Sequence, residues 1–436
     1  MNQKYIPAPY VRIKHPDWSR EATIYQINTR QFTPEGTLRA ASAQLSRLKT
    51  LGIGILWLMP IHEIGVQNRK GTLGSPYAVK DYFSVSRELG SLDDLKQFVA
   101  EAHALDMRVI LDWVPNHTAW DNPLVQQHPD WYKRNWKGQC RPTPWWDWSD
   151  VIDLDYSQPG LREYMSGALR YWVQEADIDG YRCDVAGYVP LDFWETVRAE
   201  LDQIKPVFML AEWESRDLHA QAFDMTYSWS WTTHTRKIAE RSGNVEELYQ
   251  YYATNEGSYP REAIRMLSVS NHDYNAWDGT EYDIYGDSTE AMIALSFVSE
   301  GMPLIYNGME AGNTKQLAFF ERDPIIWQDH PMNELLARLI RLKKENPALH
   351  NAPWGAPMTQ IINSDLKNIF SFIRQSGNNR LVAAFNFSPD HRTFQLEEVI
   401  TEGHYTDFQT AATVSLTNNT TMELRPWAYR ILTMSA

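Results

Sequence analysis

The sequence has few of the features that mark disulfide-rich, membrane-spanning or nucleic-acid-binding proteins. Only two of its 436 residues are cysteines, Cys140 and Cys183, so no disulfide framework is predicted. No apolar run approaches the ~18 residues of a membrane-spanning helix. Lysine and arginine number 41 against 55 aspartates and glutamates, which gives a formal net charge of −14. That charge disfavours nucleic acids and anionic membranes as partners, and it is neutral towards uncharged ligands such as sugars.

The N-terminal stretch, residues 1–10, also lacks an apolar run resembling a signal peptide. The expected location is therefore the cytoplasm, or a secreted or periplasmic one if a leader has been removed. The length suits one large domain with accessories, and the 43% hydrophobic content allows a sizeable core. Nothing in the sequence indicates an oligomeric state.

Strand-like and helix-like patterns alternate over most of the chain, which predicts an α/β fold with a parallel sheet. The candidate strands are residues 22–31, 54–59, 108–114, 180–185, 207–211, 223–227, 265–269 and 303–306. Eight is the strand number of a (β/α)8 TIM barrel. A doubly wound open sheet is the alternative, although no Gly-x-Gly-x-x-Gly follows the first strand, which disfavours its nucleotide-binding form. Helices are predicted between the strands, including one over 38–51 and one that begins at a Ser91 cap.

Two regions depart from the alternating pattern. Residues 117–156 form a long interval with little periodicity, and its tryptophans are Trp120, Trp131, Trp136, Trp145, Trp146 and Trp148. This interval is interpreted as a small excursion domain with an aromatic core, as one wall of a cleft, or as both. From about residue 351, short alternating segments over 369–373, 381–387, 393–396, 413–416 and 429–434 predict an antiparallel β domain. The predicted organisation is a barrel (1–117 and 156–350), an inserted domain B after strand 3 (118–155) and a C-terminal β-sandwich domain C (351–436).

Three acidic residues, Asp184, Glu212 and Asp273, each follow a short apolar run. A parallel barrel presents its catalytic groups at the C-terminal tips of its strands. Three such tips therefore indicate one shared pocket and an acid/base reaction.

The neighbours of these residues predict different electrostatic settings. Arg182 lies two residues before Asp184, on the same side of a strand, and is expected to keep Asp184 ionised with a lowered pKa. A plain ion pair in the barrel explains that motif equally well. Glu212 closes an apolar strand, so desolvation is expected to raise its pKa and keep it protonated, unless it is a solvated loop residue. Asn271-His-Asp273 is either a clamp for substrate hydroxyls or a turn.

Taken in order, the motifs resemble those of a known enzyme family. Strands three, four, five and seven end in Asp112-Trp-Val-Pro-Asn-His117, Gly180-Tyr-Arg-Cys-Asp-Val-Ala186, Met209-Leu-Ala-Glu-Trp213 and Ser268-Val-Ser-Asn-His-Asp273. This chain resembles the α-amylase family of glycoside hydrolases and transglycosidases at all four. Tyr25-Gln-Ile27 and Ser75-Pro-Tyr-Ala-Val-Lys-Asp-Tyr82 are similar to further segments of that family.

The resemblance implies a role for each matching residue. Asp184 would be the nucleophile, Glu212 the acid/base, and Asp273 a clamp on sugar hydroxyls. The supporting residues would be Arg182, which orients Asp184; His117 and His272, which hydrogen-bond the sugar in the cleavage subsite; Tyr77, which stacks on it; and Asp112, which supports the network. Position in the chain adds three candidates: Trp213, next to the acid, for stacking on the leaving-group sugar, and Arg322 with Asp323, after the eighth strand, for the glycone side.

The resemblance implies that the chemistry requires no cofactor. It also makes Asn116 a candidate ligand of a structural Ca²⁺. The chain departs from the family after the nucleophile. Asp184-Val-Ala-Gly-Tyr188 occupies the stretch where many α-amylases carry a Lys-His pair, and that pair serves a long-polysaccharide subsite and the usual calcium contact.

The predicted function is a retaining glycoside hydrolase that cleaves α-1,4 bonds in starch-derived maltodextrins through a covalent glycosyl-enzyme intermediate. One alternative is a transglycosidase or α-glucosidase on the same scaffold. The sequence also leaves open whether the enzyme prefers α-1,4, α-1,6 or sucrose-like linkages. Another is an inactive barrel that binds glucans, which the presence of all three carboxylates disfavours. A metal-dependent barrel hydrolase is disfavoured because no strand ends in His-x-His.

Overall fold

The computed structural model describes residues 8–397, 402–418 and 420–434, so most of the 1–10 stretch considered for a leader lies outside the described residues. The strands up to residue 306 are β1 (Ile24–Ile27), β2 (Ile55–Leu58), β3 (Glu63–Ile64), β4 (Val79–Asp81), β5 (Arg108–Trp113), β6 (His117–Ala119), β7 (Val151–Asp153), β8 (Gly180–Cys183), β9 (Phe208–Ala211), β10 (Met225–Tyr227), β11 (Ile264–Ser268) and β12 (Met302–Tyr306). The helices are α1 (Thr29–Phe32), α2 (Leu38–Ser42), α3 (Leu45–Leu51), α4 (Leu92–Ala104), α5 (Leu124–Gln127), α6 (Pro159–Ala176), α7 (Leu191–Asp202), α8 (Trp229–Ala239), α9 (Glu246–Ser258), α10 (Glu281–Tyr285), α11 (Thr289–Val298) and α12 (Pro331–Glu345).

Eight parallel strands close into a barrel in the order β1-β12-β11-β10-β9-β8-β5-β2. Every one of the eight predicted strands overlaps one of these, so the barrel prediction is confirmed and the open-sheet alternative is wrong. The strands are buried along nearly their whole length. Burial on both faces is expected of parallel strands that carry helices outside and packed side chains inside.

The predicted helix over 38–51 is wrong in one respect, because the structure divides it into α2 and α3. The segment contains neither glycine nor proline, so no local signal marks the break. The leucines still pack into one core, since Leu38, Leu45 and Leu48 are all buried. The Ser91 cap of α4 is present as a capping box with Asp94.

The long interval after β5 contains a two-stranded antiparallel sheet, in which β6 pairs with β7. Trp131 packs into the hydrophobic core, whereas Trp136, Trp145 and Trp146 are exposed. A second two-stranded sheet, of β3 and β4, lies between β2 and α4. Both small sheets therefore rise from the C-terminal ends of barrel strands, above the barrel mouth.

The C-terminal region is an antiparallel β domain, as predicted. Its strands are β13 (Met358–Gln360), β14 (Ile369–Ser376), β15 (Asn379–Asn386), β16 (Arg392–Gln395), β17 (Gly403–Asp407), β18 (Thr413–Leu416), β19 (Thr421–Leu424) and β20 (Tyr429–Met434). Six of them form one sheet, and β16 pairs with β19 in another. Sequence reasoning missed β13, β17 and β19, which are short and largely exposed on one face.

Among the residues that the structure describes, no helix has the length and apolar character needed to cross a membrane.

Candidate active site

A cavity of about 610 Å³ opens at the C-terminal ends of the barrel strands. Six of the predicted site residues line it, namely Tyr77, His117, Asp184, Glu212, His272 and Asp273. Asp112 and Arg182 lie fully buried beneath them. The structure therefore brings eight of the predicted site residues together in one region.

Strand register sets two of the carboxylates side by side. Cys183 on β8 pairs with Ala211 on β9, and the next residue of each strand is an acid, Asp184 or Glu212. Adjacent strands lie about 4.8 Å apart. The backbone N–H of Glu212 also donates to the Cys183 carbonyl over 2.9 Å, which holds the two strand ends in step.

Arg182 joins three buried carboxylates. Its Nη1 donates to Asp112 Oδ1 over 2.7 Å and to Asp184 Oδ1 over 3.1 Å. Its Nη2 lies 2.9 Å from Glu212 Oε1. Burial opposes the guanidinium charge, but Asp112 and Glu212 outweigh that effect and hold the pKa of Arg182 well above its ordinary value. The arginine stays charged and fixes the positions of all three acids.

The expectation that Arg182 lowers the pKa of Asp184 is wrong in its net direction. Burial raises the pKa of Asp184 to about 7 although Arg182 pulls it down. Burial likewise raises the pKa of Glu212 to about 8 against the opposing effect of Arg182. One cation shared by three carboxylates does not compensate the desolvation of all of them. The expected rise for Glu212 is present.

A hydrogen-bonded chain runs under the cavity from Gln26 to Asp112. Gln26 Nε2 lies 2.7 Å from His272 Nδ1, and His272 Nε2 lies 2.7 Å from the Tyr77 hydroxyl. That hydroxyl donates to Asp112 Oδ2 over 2.9 Å. Burial lowers the pKa of His272 to about 4, so the ring is neutral near pH 7. An amide donor at Nδ1 then assigns the proton to Nε2, which donates to Tyr77.

His117 and Asp273 complete the cavity floor. Burial lowers the pKa of His117 to about 3, so this ring is also neutral, and its Nε2 lies 4.0 Å from Asp184 Oδ2. The Asp273 side chain is 39% exposed, with Oδ2 3.4 Å from His272 Nε2. Of the three central acids it is the one most open to a ligand.

The residue after the nucleophile candidate has strained geometry. Val185 has φ +36°, a left-handed conformation that β-branched residues rarely adopt. This turn directs the Val185 N–H at Glu212 Oε2, 2.7 Å away. Strain of this kind persists where the surrounding structure enforces it, often at functional sites.

Four further predicted residues lie away from the cavity. Trp213 packs against Tyr188 and Trp229, with ring centroids 5.2 and 5.9 Å away. The guanidinium of Arg322 lies 3.9 Å from Glu88, and Asp323 pairs with Lys315. Their predicted sugar contacts are therefore not supported by the cavity that the described residues form.

Asn116, the fourth, is buried against domain B, where its Nδ2 lies 3.3 Å from both Thr143 Oγ1 and Asp153 Oδ1. Calcium takes six to eight oxygen ligands, whereas this cluster supplies one carboxylate, already hydrogen-bonded by Thr143. Nor do the described residues contain a group of three or more His, Cys, Asp or Glu side chains able to hold a metal ion. The donor set does not fit a calcium ion, and we derive no step through one.

Several cavity residues were missed by sequence reasoning. Trp277, Phe319 and Phe320 pack against one another and line the same cavity as Trp146 and Trp148 of domain B. Trp277 follows the seventh barrel strand and the two phenylalanines follow the eighth. The rule that found the acids, that barrel strand ends carry the site, could have found these as well.

Comparison with known proteins gives consistent matches. The family model described as "Alpha amylase, catalytic domain" matches residues 16–358. The chain is 32% identical to the noncanonic maltogenic alpha-amylase AmyB from Thermotoga neapolitana, with a TM-score of 0.87, covering 95% of this chain and 99% of that one. It is 29% identical to an alpha-amylase from Lactobacillus plantarum, with a TM-score of 0.86 and coverages of 95% and 99%.

A curated relative is alpha-amylase MalA of Haloarcula japonica, 26% identical over 400 residues. The match covers 87% of this chain and 57% of that relative's length.

Proposed function

This chain belongs to the alpha-amylase family, and on that premise we propose that it is a retaining glycoside hydrolase that cleaves α-1,4-glucosidic bonds in maltodextrins. The observation that carries the proposal is the pairing of Cys183 with Ala211. This register puts Asp184 and Glu212 on neighbouring strand tips about 4.8 Å apart. A retaining mechanism needs its two carboxyl groups about 5–5.5 Å apart, while an inverting one needs more room for water.

The first step is formation of a glycosyl-enzyme. Asp184 attacks the anomeric carbon of the sugar in the cleavage subsite while Glu212 gives its proton to the departing glycosidic oxygen. The pKa of Glu212, raised by burial to about 8, favours the protonated form at neutral pH. Arg182 holds Asp184 in position and disperses its charge.

In the second step, water attacks the same carbon and displaces Asp184. Glu212, now ionised, accepts the proton from that water, so its starting state is restored. Asp273 would hydrogen-bond the hydroxyls of the sugar, and the neutral His117 and His272 would contact the same ring. Tyr77 would lie against its face. If a sugar hydroxyl replaces water in this step, the enzyme acts as a transglycosidase.

The proposal is tested with maltoheptaose, following products and the anomeric configuration of the new reducing end. Turnover with retention is expected, and products longer than the substrate would show transfer. No turnover of maltoheptaose, or products of inverted configuration, would overturn the proposal.

The roles of the two acids are separated by matched isosteric variants. Asp184→Asn should lose activity on every glycoside, because no nucleophile remains. Glu212→Gln should lower kcat/KM about 100-fold or more on maltoheptaose, yet far less on a glucosyl fluoride, whose leaving group needs no proton; kcat/KM reports formation of the glycosyl-enzyme, so loss of the base in the second step does not enter it. Equal losses on both substrates in Glu212→Gln would refute its acid role.

A cytoplasmic location is part of the same proposal. Cys140 and Cys183 are both free thiols, and a chain without disulfides suits a reducing compartment. Fractionation of the producing cells tests this, and recovery of the protein outside the cytoplasm would contradict it.

A further inference from the structure

Three loops that are hydrogen-bonded to one another meet at the part of the cavity lined by Trp277, Phe319 and Phe320. We call residues 71–73, 275–277 and 317–321 the end wall. The first group lies between β3 and β4, the second follows β11, and the third follows β12. They are remote in sequence and meet above the barrel mouth.

Three hydrogen bonds join residues 71–73 to residues 317–321. The Thr72 N–H donates to Glu321 Oε1 over 2.8 Å, and the Thr72 hydroxyl donates to Glu321 Oε2. The Leu73 N–H donates to the Phe320 carbonyl over 3.2 Å. Gly71 allows the approach, because a Cβ there would lie 2.4 Å from Phe320 Cβ, and its φ of +63° also favours glycine.

The second group is fixed to the third in a similar way. Asn275 Oδ1 accepts from the Leu317 N–H over 2.9 Å, and Gln316 Nε2 donates to the Ala276 carbonyl over 2.7 Å. The Trp277 ring packs against Phe319, with centroids 5.5 Å apart. The three groups therefore form one continuous wall rather than separate loop tips.

The wall stands on the glycone side of the proposed cleavage point. Phe319 lies nearly parallel to Tyr77, at 6.2 Å and 13°, and is also stacked with His272 at 6.4 Å. Tyr77 and His272 would contact the sugar that Asp184 attacks. The leaving group departs beside Glu212, which protonates it, and Glu212 contacts Val185 rather than the wall.

Contacts made by domain B continue the edge of the cavity beyond the end wall. Lys70 lies 3.5 Å from Asp147 and 3.9 Å from Asp150. Further round, Trp146 Nε1 donates to the Tyr188 hydroxyl over 3.0 Å. Beyond Glu212, the single residue Ser228 separates β10 from α8. The connection after β10 is therefore too short to form a wall like the one opposite.

We propose that the end wall makes this enzyme act on the non-reducing ends of α-1,4-glucan chains and not on internal bonds, an inference that rests on the proposed function. Cleavage of an internal bond requires the chain to continue past the glycone subsites, where residues 71–73 and 317–321 stand. A chain end needs no such passage. The substrate class is then linear oligosaccharides with a free non-reducing end, and each turnover releases a short fragment from that end.

The test uses two linear substrates of equal length, maltoheptaose labelled at its reducing end, with and without a 4,6-O-benzylidene cap on the non-reducing glucose. The uncapped substrate should release short unlabelled fragments of one size, and the capped one should react at least about tenfold more slowly. Equal rates on both would overturn the inference while leaving the hydrolase assignment intact. Lack of turnover of the uncapped substrate would overturn both.

Variants connect the preference to the wall. The double variant Phe320→Ala with Glu321→Ala removes a wall ring and the two hydrogen bonds from Thr72 to Glu321, and should raise the capped-to-uncapped rate ratio about tenfold. Glu101→Ala is the control, since its hydrogen bond to Gln97 lies on the surface of α4. An unchanged ratio in a folded double variant would show that the wall does not set the preference.

Discussion

At the residue scale, the buried charge of Arg182 is shared among Asp112, Asp184 and Glu212. Three acids around one cation leave the cluster with a net negative charge, so it tends to keep protons that exposed acids would lose. Burial accordingly raises the pKa of Asp112 to about 7 as well, against the opposing effect of Arg182. The nucleophile Asp184 and the acid Glu212 therefore titrate as an interacting pair.

This coupling predicts a bell-shaped dependence of kcat/KM on pH with its maximum between about pH 7 and 8. Asp184 acts deprotonated, so activity should fall below its pKa of about 7. Glu212 acts protonated, so activity should fall above its pKa of about 8. The two limbs report the pair and not either residue alone.

Initial rates on maltoheptaose over this range, with unfolding followed at each pH, check the prediction. A rate that stays constant from about pH 5 to 7 would contradict the raised pKa of Asp184.

At the element scale, the approach of β8 to β9 depends on a glycine. Gly180 has φ +147°, and a Cβ there would lie 1.9 Å from the Phe208 carbonyl oxygen. We expect Gly180→Ala to push the strands apart, lower the free energy of unfolding by more than about 2 kcal/mol, and reduce kcat by shifting Asp184 relative to Glu212. Urea unfolding and kinetics on the same sample measure both effects.

The control is Gly167→Ala within α6, whose nearest neighbouring atom would be 3.9 Å away. Alanine there should stabilise the helix by about 0.5–1 kcal/mol and leave kcat unchanged. If Gly180→Ala behaved in the same way, the close approach would not matter.

Domain B yields a prediction about metal removal. Asn116 hydrogen-bonds Thr143 and Asp153, a contact that needs no ion. Treatment with a chelator should therefore leave both Tm and kcat unchanged. Loss of either, restored by added Ca²⁺ and not by Mg²⁺, would establish the calcium site that the family resemblance suggests.

At the scale of the whole molecule, the stability of the fold depends on pH because some histidines are buried in their neutral form. His62 packs edge-on against Tyr82, Trp113 and Trp172, and burial lowers its pKa to about 3. In the unfolded chain its pKa returns to about 6.5. The unfolded state therefore binds more protons below that pH, so stability is present above it and is lost as the pH falls.

His62→Phe keeps a ring in this site and removes the titration. Between about pH 7 and 5 the variant should lose about 2 kcal/mol less stability than the natural protein. Denaturant unfolding at the two pH values measures this difference. His391→Phe is the control, because its side chain is 53% exposed and should give no such difference. Parallel losses in His62→Phe and the natural protein would contradict the prediction.

The sequence by itself determined the eight barrel strands, the antiparallel character of domain C and the order of the three acids. Apolar runs mark buried strands, and a barrel carries its chemistry where those strands end. It did not determine the break between α2 and α3 or the exposed strands of domain C, because neither leaves a local signal in composition.

The tertiary structure decided the charge states and the shape of the cavity. Arg182 stands two residues from Asp184 in the sequence, but only folding buries Asp184 and adds Asp112 to the same guanidinium, and burial reverses the expected pKa shift. Thr72 and Glu321 are remote in the chain, and only the closed barrel lets them meet and form the end wall. Both outcomes depend on distances between strands and loops that no single segment specifies.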